Sequence, residues 1–212
     1  MPGGASFRTA SDSAPRQDWD RRRYEHVPCK ASDVARRSSW KRHLVYTIGH
    51  STRSFDELVA MLRAFSVDVL VDIRTVPRSR HNPQYNADTL RTRLRGRRIR
   101  YVQLPELGGL RRARPDSPNT AWRNASFRGY ADYILTDEFE EGVAKLHALS
   151  SEATLALMCA EAVPWRCHRS LVADVLCARG AEVEHIMSLG RASAHRITPF
   201  AKVQGQQVTY PG

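Results

Sequence analysis

The chain has 212 residues and a formal net charge of +11, from 33 Lys and Arg against 22 Asp and Glu. This length suits one domain of ordinary size, and the basic excess favours anionic partners such as nucleic acid, nucleotides or phosphorylated metabolites. No run of about 18 apolar residues occurs and the N-terminus has no apolar signal core, so neither a membrane span nor a secretory leader is expected. The four cysteines, Cys29, Cys159, Cys167 and Cys177, do not make a disulfide framework, and a reducing, cytosolic setting is expected.

Residues 1–42 are rich in Ser, Arg, Asp, Pro and Gly, show no periodicity, and are expected to form a disordered basic arm. An α/β domain is expected over residues 43–190. Leu44 to Ile48 is its first strand and ends at Gly49-His50-Ser51. Ser54-Phe55-Asp56-Glu57 reads as a capping box, with Phe55, Leu58, Val59 and Leu62 at helical spacing behind it. Val67 to Arg74 is a nearly continuous apolar strand, the pattern of a buried parallel strand. A helix capped by Asn86 carries Leu90 and Leu94, and Ile99 to Leu104 is the third strand.

A polar loop covers residues 110–126. Helical spacing returns from Phe127 to Leu149, with a break expected near Thr136-Asp137. Thr154 to Met158 is the fourth strand, His168 to Arg179 a helix stopped by Gly180, and Val183 to Met187 the fifth strand. Cys177 falls on the apolar face of that last helix as a core residue. Residues 191–212 read as a C-terminal appendage with a small hairpin over 203–208. Strand and helix alternate without hairpin signals in the domain, which points to a single, mainly parallel sheet of about five strands covered by helices.

Ligands of open parallel sheets bind outside the carboxyl ends of the strands. There the sequence places His50 and Ser51, then Asp72, Arg74, Arg78 and Arg80, then Glu106 and Gly108-Gly109, then Cys159 and Glu161. Asp72 ends an apolar strand and needs a partner, either in a structural salt bridge or as the orienting group of a substrate-holding arginine. Arg74, Arg78 and Arg80 are phosphate-ligand candidates, because guanidinium groups offer forked donors. Tyr85, Tyr101 and Trp122 lie among the arginines and are candidates to stack on bases.

Cys159 and Cys167 allow three readings. As a nucleophile, Cys159 would be activated by Arg166, His168 or Arg169, while Cys167 gains from a helix N-terminus. As metal ligands, Cys159, Cys167, His168 and Glu161 suit zinc, but adjacent Cys-His after a seven-residue gap is not a standard zinc spacing, so no metal centre is assigned. As structural thiols, both would simply pack. The strand-Cys-loop-Arg-Ser-helix pattern, with Asp-Ile-Arg earlier, is similar to rhodanese-type sulfurtransferases. It departs from them and from tyrosine phosphatases in lacking a compact C-x₄₋₅-R cradle, since the first arginine after Cys159 is Arg166.

Tyr46-Thr47-Ile48-Gly49-His50-Ser51, Val71-Asp72-Ile73-Arg74 with Pro77-Arg78-Ser79-Arg80, Leu107-Gly108-Gly109, Phe127-Arg128-Gly129-Tyr130-Ala131, Met158-Cys159-Ala160-Glu161 and Cys167-His168-Arg169 follow in order. Over residues 44–190 this series resembles domain-of-unknown-function family 488. The resemblance implies a compact α/β protein with a polar pocket lined by these motifs, and carries no established activity.

The residues therefore suggest an enzyme-like domain that binds an anionic, phosphate-bearing ligand, a nucleotide or nucleic acid. Arg74, Arg78, Arg80 and Arg169 would hold phosphate, with Ser51 and Cys167 beside them. Cys159 ranks first as nucleophile, Glu161, His168 and His50 are acid, base or positioning groups, and Asp72 orients an arginine. The alternatives are a non-catalytic nucleic-acid-binding module and a sulfurtransferase-like thiol enzyme.

Overall fold

Residues 40–212 are described by the structure, a computed structural model. The basic arm expected over 1–42 thus lies outside the described residues except for 40–42, and Cys29 lies outside them too.

The Val-, Leu- and Ile-rich runs form strands β1 (Leu44–Gly49), β2 (Val69–Asp72), β3 (Arg100–Gln103), β4 (Leu155–Cys159) and β5 (Glu182–Ser188). Every residue of β2 and β4 is buried, which is why both read as unbroken apolar runs instead of alternating ones. A sixth strand, β6 (Arg191–Ala194), pairs antiparallel with β5. The sheet order is β3-β2-β4-β1-β5-β6, and all other pairs are parallel. The expected α/β class with a mainly parallel sheet is the observed one.

Helix α1 (Phe55–Ala64) begins at Ser54, whose Oγ accepts the Glu57 N–H at 3.1 Å, as the capping box requires. Helix α2 (Ala87–Arg95) follows Asn86, but that side chain accepts from the Ser79 N–H at 2.8 Å and makes no cap bond. Asn86 thus folds the loop after β2 back on itself. The helical stretch expected after Phe127 is two helices, α3 (Ala125–Tyr133) and α4 (Asp137–Glu152), and Thr136 caps the second. Helix α5 (Arg169–Ala178) is buried at every residue and stops before Gly180, whose φ of 95° suits glycine.

Alternation along the strands divides the core. Val45, Val71, Leu157 and Cys159 pack with α3, α4 and α5, whereas Ile48, Leu70, Met158 and Ile186 pack with α1 and α2. Connections leaving β1 and β2 therefore cross one face, and those leaving β3 and β4 cross the other. Because β4 lies between β2 and β1, its chain departs opposite to both neighbours. Such a switch point opens a crevice at the carboxyl end of the sheet, where these folds place ligands. Cys159, the last residue of β4, stands there.

The C-terminal residues 191–212 belong to the same body. Strands β7 (Lys202–Gln204) and β8 (Gln207–Thr209) make the expected hairpin. Beyond it Tyr210 is fully buried, and its hydroxyl donates to Asp174 Oδ2 at 2.8 Å. Among the described residues no helix is long and apolar enough to cross a membrane.

Candidate functional site

After Cys159 the chain makes a short loop, a 3₁₀ turn at Pro164–Arg166, and reaches Cys167 and His168 at the start of α5. Two devices hold this loop down. Arg169 is 1 % exposed, and its guanidinium donates to the carbonyls of Glu161 and, at 2.8 Å, Ala162. Gly49 lets the loop touch the end of β1, since a Cβ there would stand 1.9 Å from Glu161 O. The seven-residue gap closes as a result. Cys159 Sγ and Cys167 Sγ lie 3.9 and 3.8 Å from His168 Nδ1, and all three atoms fall within 4.8 Å of one another.

The His168 tautomer follows from its other nitrogen. Nε2 lies 3.2 Å from the Ile73 carbonyl, which can only accept, so Nε2 carries the hydrogen. In the neutral ring Nδ1 then presents its lone pair to both sulfurs. Tyr130 covers the ring at 4.9 Å between centroids, and Gly109 lies against it, where a Cβ would come within 2.9 Å of Nδ1. Thr75 Oγ1 fixes that glycine by donating to its carbonyl at 2.7 Å.

The two thiols are not equivalent. The Cys159 thiol is pushed well up by the hydrogen bond it gives Cys167 and by burial. Receiving that bond brings Cys167 down to about 7, against burial and with help from the Arg169 charge. Of the two, Cys167 is the thiol that its surroundings lower and Cys159 the one they raise; strand position alone put Cys159 first. The closeness of the two sulfurs is not visible in the sequence.

On the other face of the same sheet edge, Asp72 is fully buried and saturated. Its Oδ1 accepts from the Arg74 backbone N–H at 3.0 Å and Nε at 2.9 Å, and its Oδ2 from Arg74 Nη2 at 2.6 Å and the Tyr101 hydroxyl at 2.7 Å. Nη2 also donates to Tyr85 O, and Nη1 to His50 Nε2 at 3.2 Å. His50 therefore carries its hydrogen on Nδ1 and donates it to Ser51 O at 2.8 Å. Its ring stacks on Tyr85 at 4.0 Å. Burial brings His50 down to about 4; the Ser51 carbonyl opposes this and the Arg74 charge adds to it. His50 is thus neutral at pH 7.

The structure so gathers the candidates into two adjoining sets. Cys159, Cys167 and His168 form one, and His50, Asp72 and Arg74 the other. The His50 N–H donates to the Cys159 carbonyl at 3.0 Å, which joins the two sets through the backbone. The Arg74 guanidinium is committed to protein acceptors, and that of Arg169 through both Nη atoms. Arg78 and Arg80 are exposed and pair with no acidic side chain among the described residues. Glu161 is half-buried and accepts from the Val163 N–H at 3.2 Å. Ser51, half-buried, and Leu110, 82 % exposed, hold left-handed φ values of 48° and 60°.

Tyr85, Tyr101 and Trp122 do not stack on bases: all three are buried, at 0, 9 and 7 % exposure. Tyr101 instead completes the shell of Asp72, and Tyr85 donates to Arg53 O at 2.9 Å.

A polar chain that sequence reasoning missed runs through the interior. Thr47 Oγ1 bonds His185 Nδ1 at 2.7 Å, His185 Nε2 bonds His195 Nδ1 at 2.9 Å, and His195 Nε2 bonds Asp174 Oδ1 at 2.8 Å. The two histidines border a cleft of about 530 Å³ that Trp122, Trp165 and Pro199 also line. Alternation in β5 puts Val183 and His185 on one face, a hint that His185 is internal. The pairing with His195 depends on β6, which the sequence did not reveal.

No curated protein and no solved structure matches the chain. The family model described as domain of unknown function DUF488 matches residues 54–176, which include Asp72, Arg74, Cys159, Cys167 and His168. That span is more than half of the 212 residues, and the chain belongs to the DUF488 family.

Proposed function

We propose that the protein is an enzyme whose reacting centre is the Cys159–Cys167–His168 cluster, and that it takes an anionic, phosphate-bearing ligand at the rim beside it. The observation that carries this reading is the convergence of two thiols and an imidazole within 4.8 Å at the switch point of the sheet. Structural thiols need no such company, and here three separate contacts, from Ile73, Gly109 and Tyr130, aim the imidazole at them. Arg78 and Arg80 supply uncommitted cations for the ligand, and the net charge of +11 favours its approach. A reducing, cytosolic setting that keeps the thiols free goes with this reading.

The alternative of a purely nucleic-acid-binding module gains little from α2. Its Arg91 pairs with Asp88 and lies over Tyr101, and Arg93 covers Phe55 at 3.8 Å, as on an ordinary solvated helix face. A sulfurtransferase reaction would use the same thiols.

The test is alkylation of the native, metal-stripped protein with substoichiometric iodoacetamide, mapped by peptide mass spectrometry, with and without inorganic pyrophosphate. Cys167 should be labelled ahead of Cys159 and Cys177, and pyrophosphate should slow that labelling in wild type but not in an Arg78→Ala/Arg80→Ala variant. Labelling of Cys167 that pyrophosphate leaves unchanged would overturn the anionic-ligand reading.

A further inference from the structure

We infer that Cys159, Cys167 and His168 form a three-donor site for a zinc ion, with a fourth coordination position left for a water or for the anionic ligand. This rests on the same cluster being the reacting centre, and names the cofactor of that centre.

Geometry carries the inference. Zinc binds sulfur at about 2.3 Å and imidazole nitrogen at about 2.0–2.1 Å, so tetrahedral ligation sets sulfur and nitrogen roughly 3.5 Å apart. The two sulfur–nitrogen distances here are 3.9 and 3.8 Å, which an ion would shorten by a few tenths of an ångström. No other group of His, Cys, Asp and Glu among the described residues meets the same spacing.

The surroundings point the same way. A zinc-ligating histidine characteristically donates its second ring N–H to a carbonyl or carboxylate, which fixes the tautomer and raises the basicity of the ligating nitrogen. His168 does this with Ile73 O, leaving Nδ1 for the ion. Two thiolates and one imidazole form a donor set that selects zinc over magnesium or calcium. Two thiolates neutralise the dication, and three protein ligands with one open position are the pattern of catalytic zinc centres, whereas structural centres are closed by four. Glu161, the fourth ligand considered from the sequence, is not in the cluster; its carboxylate is engaged by the Val163 N–H. The seven-residue gap that argued against zinc is bridged by the 3₁₀ turn and by the hold of Arg169 on the loop.

The experiment is reconstitution of the chelator-stripped full chain with Zn²⁺ and, separately, Co²⁺. One zinc per chain should bind and survive gel filtration. Co²⁺ should give the intense ligand-field absorption of a tetrahedral ion together with a thiolate-to-cobalt charge-transfer band. Cys167→Ser and Cys159→Ser should each weaken binding at least tenfold, and Cys177→Ser should leave it unchanged. The cobalt spectrum of wild type does not depend on any variant folding. Substoichiometric zinc, or a cobalt spectrum without the thiolate band, overturns the inference. Failure here with pyrophosphate still protecting Cys167 from alkylation in the stripped protein refutes zinc alone and leaves the enzyme reading standing. Tight zinc with no effect of pyrophosphate refutes the anionic-ligand reading and leaves the zinc site.

Discussion

Replacing Asp72 by Asn tests how the edge of the site is held. The side chain is fully buried and receives four hydrogen bonds, three from Arg74 and one from Tyr101. Asparagine keeps the size but removes the charge, and its amide nitrogen turns one acceptor into a donor facing other donors. The Arg74 guanidinium, only 6 % exposed, then loses its counter-charge. Breaking a buried ion pair from one side costs about 3–5 kcal/mol, mostly the penalty of the stranded charge. For a domain of this size that is a fall in Tm of roughly 6–20 °C. Urea unfolding followed by circular dichroism measures it directly. The Asp72→Asn/Arg74→Met double variant should be more stable than the sum of the single losses by about 1 kcal/mol or more, because no charge is stranded. A single-variant loss below about 0.5 kcal/mol, the range of ordinary surface changes, would refute the reasoning.

Two further outcomes follow from the same contacts. Gly109→Ala would drive a Cβ to 2.9 Å from His168 Nδ1. Zinc affinity should fall by about tenfold or more, as when an orienting contact of a metal ligand is lost, and unchanged affinity in a titration against a chromogenic chelator would show that the ring is not held there. Stability should rise with pH between about 5 and 6.5. Burial holds His50 down to about 4 and His185 down to about 3 in the folded chain, both below the ordinary 6.5. The unfolded chain therefore binds more protons in that window, so the stability the two histidines contribute is complete above about 6.5 and is lost as the pH falls towards their folded values. A urea midpoint that stays flat from pH 7 to 5 would contradict this.

The fold was legible where burial is uniform. The apolar runs of β2 and β4, the Ser54 capping box and the Gly180 stop are local signals, and each corresponds to an element. The strand order was not legible: nothing local says that β4 inserts between β1 and β2, and that insertion makes Cys159 a switch-point residue. Asp72 announced itself as a charge at the end of an apolar strand that needed a partner, and the fold supplies Arg74. What lay beyond reach were contacts set by tertiary closure. Cys167 meets Cys159 only because Arg169 and Gly49 hold the intervening loop, and Tyr101 looked available for stacking until β3 paired with β2 and brought it to Asp72.

The most direct test of the reacting centre is the alkylation rate of Cys167 at pH 7 in the native, metal-free protein, compared with the same residue in the urea-unfolded chain. The Cys167 thiol is lowered to about 7, so more of it is thiolate at that pH than in an ordinary cysteine. An ordinary cysteine is ionised to only a few per cent, and even after the lower nucleophilicity of the more acidic thiol the native residue should react about fivefold faster. A Cys167 that reacts only once the chain unfolds would contradict the account.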